Sequence, residues 1–257
     1  THISIDLCDE LLCANTFSQL KDVTHIVYAA YYEKAGTKGW KEPEQMEINK
    51  RMFQNVLRPI FDASNFIEHV TLIQGTKAYG DPLAIIPIPA KEKSPRAAHE
   101  IFYWLQEDWL KSQQLGKSWS WTILRPQIIF GESLGSHMNM IPAIGVYAAI
   151  LKSENKPLHF PGGASWVREA VDANLLAKAC EWAGSNPLCR NEIFNITNGD
   201  VFEWRNIWPS IADAFGMKPG SDKPLSLSNE MPKYQEKWRQ IVQLNKLSCP
   251  DYLEQFV

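Results

Sequence analysis

The sequence predicts an α/β fold built on a parallel sheet and followed by a smaller C-terminal lobe. Short apolar runs alternate with helical stretches from the first residues onward, which is the pattern of a sheet with crossover helices. Beyond Ser133 the composition changes, and a late strand-like run is placed to return to the main sheet. A chain of 257 residues, 45% hydrophobic, has enough apolar surface to bury one large core or a domain with a small lobe beside it.

Taken in order, residues 3–7 and 25–31 are expected strands, residues 44–61 a helix and residues 69–75 the next strand. A helical stretch over 96–115 leads to the apolar run 119–124, which ends at Arg125-Pro126 because proline cannot donate to a ladder. Then a helix near 143–153 and a short strand at 158–160, stopped by Pro161-Gly162-Gly163, begin the second lobe. Residues 170–183 carry helical periodicity, 192–197 form a strand, and Asn198-Gly199-Asp200 is a turn. Two amphipathic helices follow, over 204–215, stopped by Gly216, and over 234–245. The expected division is residues 1–132 for the first domain and 133–257 for the lobe, with about 170–200 returning to the first.

Bulk properties narrow the function. A net charge of −3, with 21% charged residues and no basic stripe, argues against a nucleic-acid partner. The longest apolar-leaning segment, 138–151, is too short to cross a bilayer and contains Asn139, Pro142 and Gly145. Five cysteines lack the spacing of a zinc site or a disulfide framework, and six scattered histidines show no metal-binding pattern. A reducing cytoplasm is the expected compartment, and the protein is expected as a monomer or homodimer.

A doubly wound nucleotide-binding sheet has its first strand at the centre and a Gly-rich turn that holds pyrophosphate at a helix N-terminus. If residues 3–7 are the third strand, the central strands and that turn are expected upstream of Thr1: no Gly-Xaa-Gly-Xaa-Xaa-Gly run occurs in the chain.

Several segments carry a more specific signal: Asp22-Val23-Thr24-His25, Gly75-Thr76-Lys77-Ala78-Tyr79, Phe102-Tyr103-Trp104-Leu105-Gln106-Glu107-Asp108, Arg125-Pro126-Gln127-Ile128-Ile129-Phe130-Gly131, Val146-Tyr147-Ala148-Ala149-Ile150 and Phe194-Asn195-Ile196-Thr197-Asn198-Gly199-Asp200-Val201-Phe202. In this order and spacing, over nearly the whole chain, they resemble the progesterone 5β-reductase/iridoid synthase-like (PRISE) family of extended short-chain dehydrogenases. The resemblance implies a Rossmann-like doubly wound parallel sheet, NADP(H) as cofactor and an enone or related carbonyl compound as substrate.

Ordinary short-chain dehydrogenases carry Tyr-x-x-x-Lys on one helix, so that an ammonium one turn away lowers the phenol pKa. Here Glu107 stands four residues after Tyr103, and a carboxylate would oppose that effect. The resemblance implies another arrangement, with Tyr103 as hydrogen-bond donor to the enone oxygen and Lys77, on the loop after the preceding strand, as its electrostatic partner and a ligand of the nicotinamide ribose. Negative charge develops on that oxygen as hydride reaches the β-carbon, and a preorganised phenol stabilises it. Gly75 occupies the position of the ordinary catalytic serine. Otherwise Tyr103 is a half-buried helix aromatic and Lys77 a solvated loop lysine; Glu107-Asp108 are structural, because neighbours on a helix do not face each other.

For the cofactor, the resemblance implies contacts from Asp6 and Leu7 to the adenine, and from Ala29, Ala30 and Tyr31 at a strand's carboxyl edge. Pro126, Ile128 and Ile129 would line the nicotinamide side, with Ser136, His137 and Met138 towards the phosphates, and Gln74 is a further cofactor-binding candidate. Asp6 has the alternative of a turn aspartate. Trp104, His137, Asn139 and Met140, with Tyr31, are candidates for the substrate wall, each with ordinary packing as the alternative. Gln127 and Ile128 replace the Gly and Asn of the plant members, a change that bears on substrate preference. Two other functions stay open: a nucleotide-sugar epimerase or dehydratase, against which Glu107 argues, and a dinucleotide-binding sensor, which has no need of the Tyr103 and Lys77 pair.

Overall fold

The computed structural model describes residues 2–33, 42–80, 88–133, 139–163 and 165–256. Along the chain run α1 (Glu10–Phe17), β1 (His25–Tyr28), α2 (Pro43–Ala63), β2 (His69–Ile73), α3 (Phe102–Gln114), β3 (Ser120–Pro126), β4 (Ile128–Phe130), α4 (Met140–Ser153), β5 (Leu158–Phe160) and β6 (Arg168–Asp172). There follow α5 (Ala173–Ser185), β7 (Glu192–Ile196), β8 (Val201–Phe202), α6 (Trp204–Ala214), β9 (Pro219–Asp222), α7 (Leu227–Glu230) and α8 (Gln235–Asn245). Two units result, Thr1–Gln127 with Leu176–Ile196, and Ile128–Leu175 with Thr197–Val257.

In the first unit β1, β2, β3 and β7 form a sheet in that order, every pair parallel. His25 stands opposite His69, His69 opposite Ser120, and Thr122 opposite Glu192. All seven residues of β3 are buried, as a central parallel strand covered on both faces requires. Proline at the start of α2 has its fixed φ and missing N–H where a helix tolerates both. From there Met46, Phe53, Leu57 and Ile60 present one buried face at helical spacing. Phe53 packs edge-on to Tyr28 at 4.7 Å and to Trp109 at 5.4 Å, joining α2 and α3 to the sheet. Around it Leu57, Val70, Leu72, Leu110 and Ile123 are fully buried.

The second unit has its own core, in which Ile150, Leu158, Met231 and Leu253 are almost completely buried beside Tyr147, Trp208 and Trp238. Both tryptophans satisfy their indole N–H groups: Trp208 donates to the Leu158 carbonyl at 3.2 Å, and Trp238 to that of Pro250 at 3.0 Å. β4 pairs parallel with β6, β6 antiparallel with β8, and β5 parallel with β9. Among the described residues no helix is long and apolar enough to cross a membrane.

The expected α/β parallel sheet is present, with its late strand β7 joined to β3. The turn at Gly199 and the stop at Gly216 both have left-handed backbones, φ +93° and +62°, which suits glycine. Three expectations are corrected. Residues 3–7 make no ladder among the described residues: Asp6 instead accepts from the Cys8 N–H at 2.9 Å, and the chain turns into α1. The helix expected from residue 96 begins at Phe102, because Arg96 and His99 are drawn into tertiary contacts at Asp108 and the Lys77 carbonyl. Residues 170–183 divide into the end of β6 and α5, since the Asp172 carboxylate accepts from the N–H groups of Asn174 and Leu175 at 2.9 and 3.2 Å and starts the helix there.

Candidate active site

At the carboxyl end of β2 the chain passes through Gln74 and Gly75 into a single 3₁₀ turn, Thr76–Ala78, that carries Lys77. Gly75 is fully extended, with φ −170°, so any residue could take its backbone. Its lack of a side chain matters for space: a Cβ there would lie 3.3 Å from Tyr103 Oη and 3.4 Å from the Pro126 carbonyl oxygen. The Tyr103 hydroxyl therefore rests against the backbone where β2 ends, close to the end of β3. This is the edge of an open α/β sheet where ligands bind.

Tyr103 is 8% exposed. Burial pushes its phenol well above the usual tyrosine range, Tyr31 and Glu33 add to the rise, and the Arg125 guanidinium opposes it. The phenol holds its proton at neutral pH and is a hydrogen-bond donor. Tyr31, just beyond β1, donates to Glu33 at 2.8 Å. The backbone here is tied to α2 by the buried Asn49, which accepts from the Tyr32 N–H at 2.7 Å and donates to the Tyr32 carbonyl at 2.8 Å. Lys77 is half-buried, and its carbonyl meets His99 Nε2 at 2.9 Å.

Glu107, one turn along α3 from Tyr103, is buried and paired. Its carboxylate meets Lys111 Nζ at 2.6 Å, Arg96 Nη2 at 3.1 Å and Arg125 Nη2 at 3.3 Å. Arg125 is 5% exposed, and its Nε donates to Gln74 Oε1 at 3.0 Å. Gln74 Nε2 in turn donates to the Tyr103 carbonyl at 3.2 Å. The Gln74 amide, expected to meet the cofactor, is thus engaged inside the unit. Arg96, Arg125, Glu107, Tyr79, Trp104 and Trp121 help line a cavity of about 290 Å³. The Trp104 indole belongs to this cavity: it donates to the His99 carbonyl at 3.1 Å, and Arg96 stacks on it at 4.7 Å.

The structure therefore brings Tyr103 together with Gly75, Gln74, Pro126 and Tyr31, with Lys77 two residues beyond Gly75. Ala29 and Ala30 are exposed beyond the end of β1. Asp6 forms a turn with Cys8, and the Leu7 carbonyl accepts from Asn55 Nδ2 at 2.9 Å. In the second unit Ile128 and Ile129 belong to β4, and Met140 opens α4. Asn139 caps α4, accepting from the Ile141 N–H at 3.1 Å and donating to the Gly131 carbonyl at 2.8 Å. Ser136, His137 and Met138 lie outside the described residues. Sequence reasoning missed Arg125 and Asn49. A signal for Arg125 was available, because a carboxylate on the inner face of α3 needs a buried cation.

Comparison with known proteins identifies the family and the fold. A family model described as the PRISE-like Rossmann-fold domain matches residues 6–245. The (S)-8-oxocitronellyl enol synthase of Nepeta racemosa is 36% identical over 260 residues, covering 96% of this chain and 66% of its own length. The 3-oxo-Δ4,5-steroid 5β-reductase of Arabidopsis thaliana is 35% identical over 258 residues, covering 96% of this chain and 65% of its own. The chain thus spans just under two thirds of the length of these relatives. Among solved structures, RMD from Pseudomonas aeruginosa in complex with NADPH aligns with a TM-score of 0.69 at 16% identity, over 87% of this chain and 76% of that one. The UDP-N-acetylglucosamine 4-epimerase of Bacillus cereus aligns at 0.62 and 20% identity, over 96% and 78%. The second pair shows a shared fold, and the first pair, with the family model, shows that the chain belongs to the PRISE-like Rossmann-fold family.

Proposed function

We propose that this chain carries the reacting centre of an NADPH-dependent reductase of activated C=C bonds, with Tyr103 as the donor to the enone oxygen and Lys77 as its electrostatic partner. The observation that carries the reading is the position of Tyr103 Oη: a neutral phenol against the bare backbone of Gly75, at the carboxyl edge of the sheet. The names of the relatives, an enol synthase and a steroid 5β-reductase, support the substrate class.

The residues at this edge fit the nicotinamide end of a dinucleotide. Gly75 leaves beside the phenol a space that a Cβ would fill, and Ala29 and Ala30 are small and exposed at the end of β1. Ala29, Ala30, Tyr31 and Pro126 would hold that end, with Asp6 and Leu7 towards the adenine. Residues 1–132 are the dinucleotide-binding part in this reading, 133–257 mainly the substrate lobe, with about 170–200 returning to the former. When bound, the reduced nicotinamide supplies the hydride for the β-carbon of the enone.

As charge moves onto the carbonyl oxygen, Tyr103 donates a hydrogen bond to it. A buried donor needs no reorganisation at that moment, and it counts for more than in water. Losing such a donor costs about 10²–10³ in rate in comparable sites. Lys77 adds positive charge on the loop side, while Glu107, neutralised by three cations, no longer opposes the developing anion. Five free cysteines accord with a reducing cytoplasm.

The test is NADPH consumption by the full-length protein with 2-cyclohexen-1-one, comparing wild type with Tyr103→Phe and identifying the product. Saturated ketone from wild type, lost in the variant, supports the proposal. NADPH binding without turnover of any enone refutes it in favour of a sensor.

A further inference from the structure

The first turn of α3 has no side-chain cap: Ile101 precedes it in an extended conformation, its apolar side chain offers no acceptor, and its carbonyl accepts from the Trp104 N–H at 3.1 Å. Tyr103 is the second residue of that helix, where an uncapped end ordinarily frays. Its anchoring comes from the neighbouring strands instead. Gln74, at the end of β2, holds the Tyr103 carbonyl with Nε2, and its own backbone N–H donates to the Leu124 carbonyl of β3 at 2.9 Å. Arg125, at the end of β3, grips Gln74 with Nε and Glu107 of α3 with Nη2. The guanidinium itself is held over the Tyr79 ring at 5.0 Å, and Tyr79 is tied to β7 by a 2.7 Å hydrogen bond to Asn195.

We propose that Arg125 is a positioning residue for Tyr103: through Gln74 and Glu107 it fixes the first turn of α3, and with it the phenol against Gly75. This rests on the reading of Tyr103 as the donor. The planar fork is essential, because its two partners lie on different elements. A lysine ammonium keeps the charge but reaches only one of them. Gln74 is then the middle of the relay, and its variants act on turnover, leaving cofactor binding alone.

A double-mutant cycle on the full-length protein tests this, using Arg125→Lys, Tyr103→Phe and the combination. Turnover of 2-cyclohexen-1-one and the NADPH dissociation constant, from nicotinamide fluorescence, are measured for each. Arg125→Lys is expected to lower kcat about tenfold, with NADPH affinity within about twofold, and to cost less than about twofold in the Tyr103→Phe background. Gln74→Met, uncharged and of similar size, should give the same pattern with a loss of about threefold. It carries the test alone if circular dichroism shows Arg125→Lys unfolded.

An equal kcat loss from either substitution in both backgrounds makes the network mere scaffold and overturns the inference while sparing Tyr103. Weakened NADPH binding with unchanged kcat in Gln74→Met overturns it too, by returning Gln74 to the cofactor. A Tyr103→Phe protein as fast as wild type removes the donor reading, and this inference with it.

Discussion

Replacing Gly75 by alanine places a methyl group 3.3 Å from Tyr103 Oη and 3.4 Å from the Pro126 carbonyl oxygen. The contact with Tyr103 Oη is a few tenths of an ångström tighter than a relaxed carbon–oxygen separation, while that with the Pro126 oxygen stands at the near limit of ordinary contact and leaves no room to shift towards it. The Pro126 oxygen belongs to a central strand paired on both sides, whereas the phenol ends a side chain with rotatable bonds. Tyr103 Oη is therefore the atom that moves. If a displacement of about 1 Å costs 10²-fold in rate, a few tenths cost roughly threefold to fivefold. The backbone is unstrained by the change, since φ is −170° and alanine adopts extended conformations freely. Alanine also removes conformational freedom from the unfolded chain, worth about 0.4–1 kcal/mol, which offsets the tight contact. Steady-state kinetics on an enone, beside a urea titration, should show kcat down by that factor with stability within about 1 kcal/mol of wild type. Unchanged kcat would refute the reasoning, and so would a rate loss matched by a comparable loss of folded protein.

Other expectations follow from the same packing. Glu107→Leu leaves the 5%-exposed Arg125 without its carboxylate and should cost about 3–5 kcal/mol in chemical denaturation. Lys111→Ala removes an exposed partner and should cost under about 1 kcal/mol. Trp104→Phe is expected to leave the KM for small enones unchanged, because the indole faces Arg96 and the His99 carbonyl; a clear rise in KM would return Trp104 to the substrate wall. His69 is 2% exposed, with Nδ1 at 2.9 Å from Ser120 Oγ and Nε2 without a partner among the described residues. Burial, with His25 and Arg190, pushes it down from 6.5 to about 4. The folded protein thus keeps it neutral while the unfolded chain takes up a proton near its ordinary value. Its contribution is complete above about pH 6.5, falls as pH drops towards 4 and levels off below, a span of up to about 3 kcal/mol. Unfolding curves for His69→Gln should be flatter across that window by this amount, and identical curves would rule the effect out.

Much of this was legible in the sequence because the signals were local. Apolar runs such as Trp121–Leu124 and the buried face of α2 carry their periodicity in adjacent residues, and Gly199 and Gly216 mark positive φ at the positions where turns were expected. What failed was decided by distant groups. Residues 96–101 include Arg96, Ala97, Ala98 and Glu100, all compatible with a helix, yet Arg96 is worth more on Asp108 and Trp104, and His99 on Lys77, than in another turn of α3. In residues 168–172 strand alternation and the approach to α5 overlap, and pairing with β4 decides between them.

Glu107 shows how the site itself divides between these cases. Its distance from Tyr103 along the helix is a local fact, and it is enough to exclude the ordinary tyrosine–lysine turn. That a carboxylate at this position is harmless to the developing oxyanion is not local. It depends on Arg125 from β3, Lys111 one turn on and Arg96 from the preceding segment converging on one buried group. A carboxylate on a buried helix face needs cations to offset its burial. Here it acquires three, and the most buried of them is the one that also reaches, through Gln74, the backbone of Tyr103. The residue that rules out the common arrangement is thereby part of the structure that holds the alternative one in place.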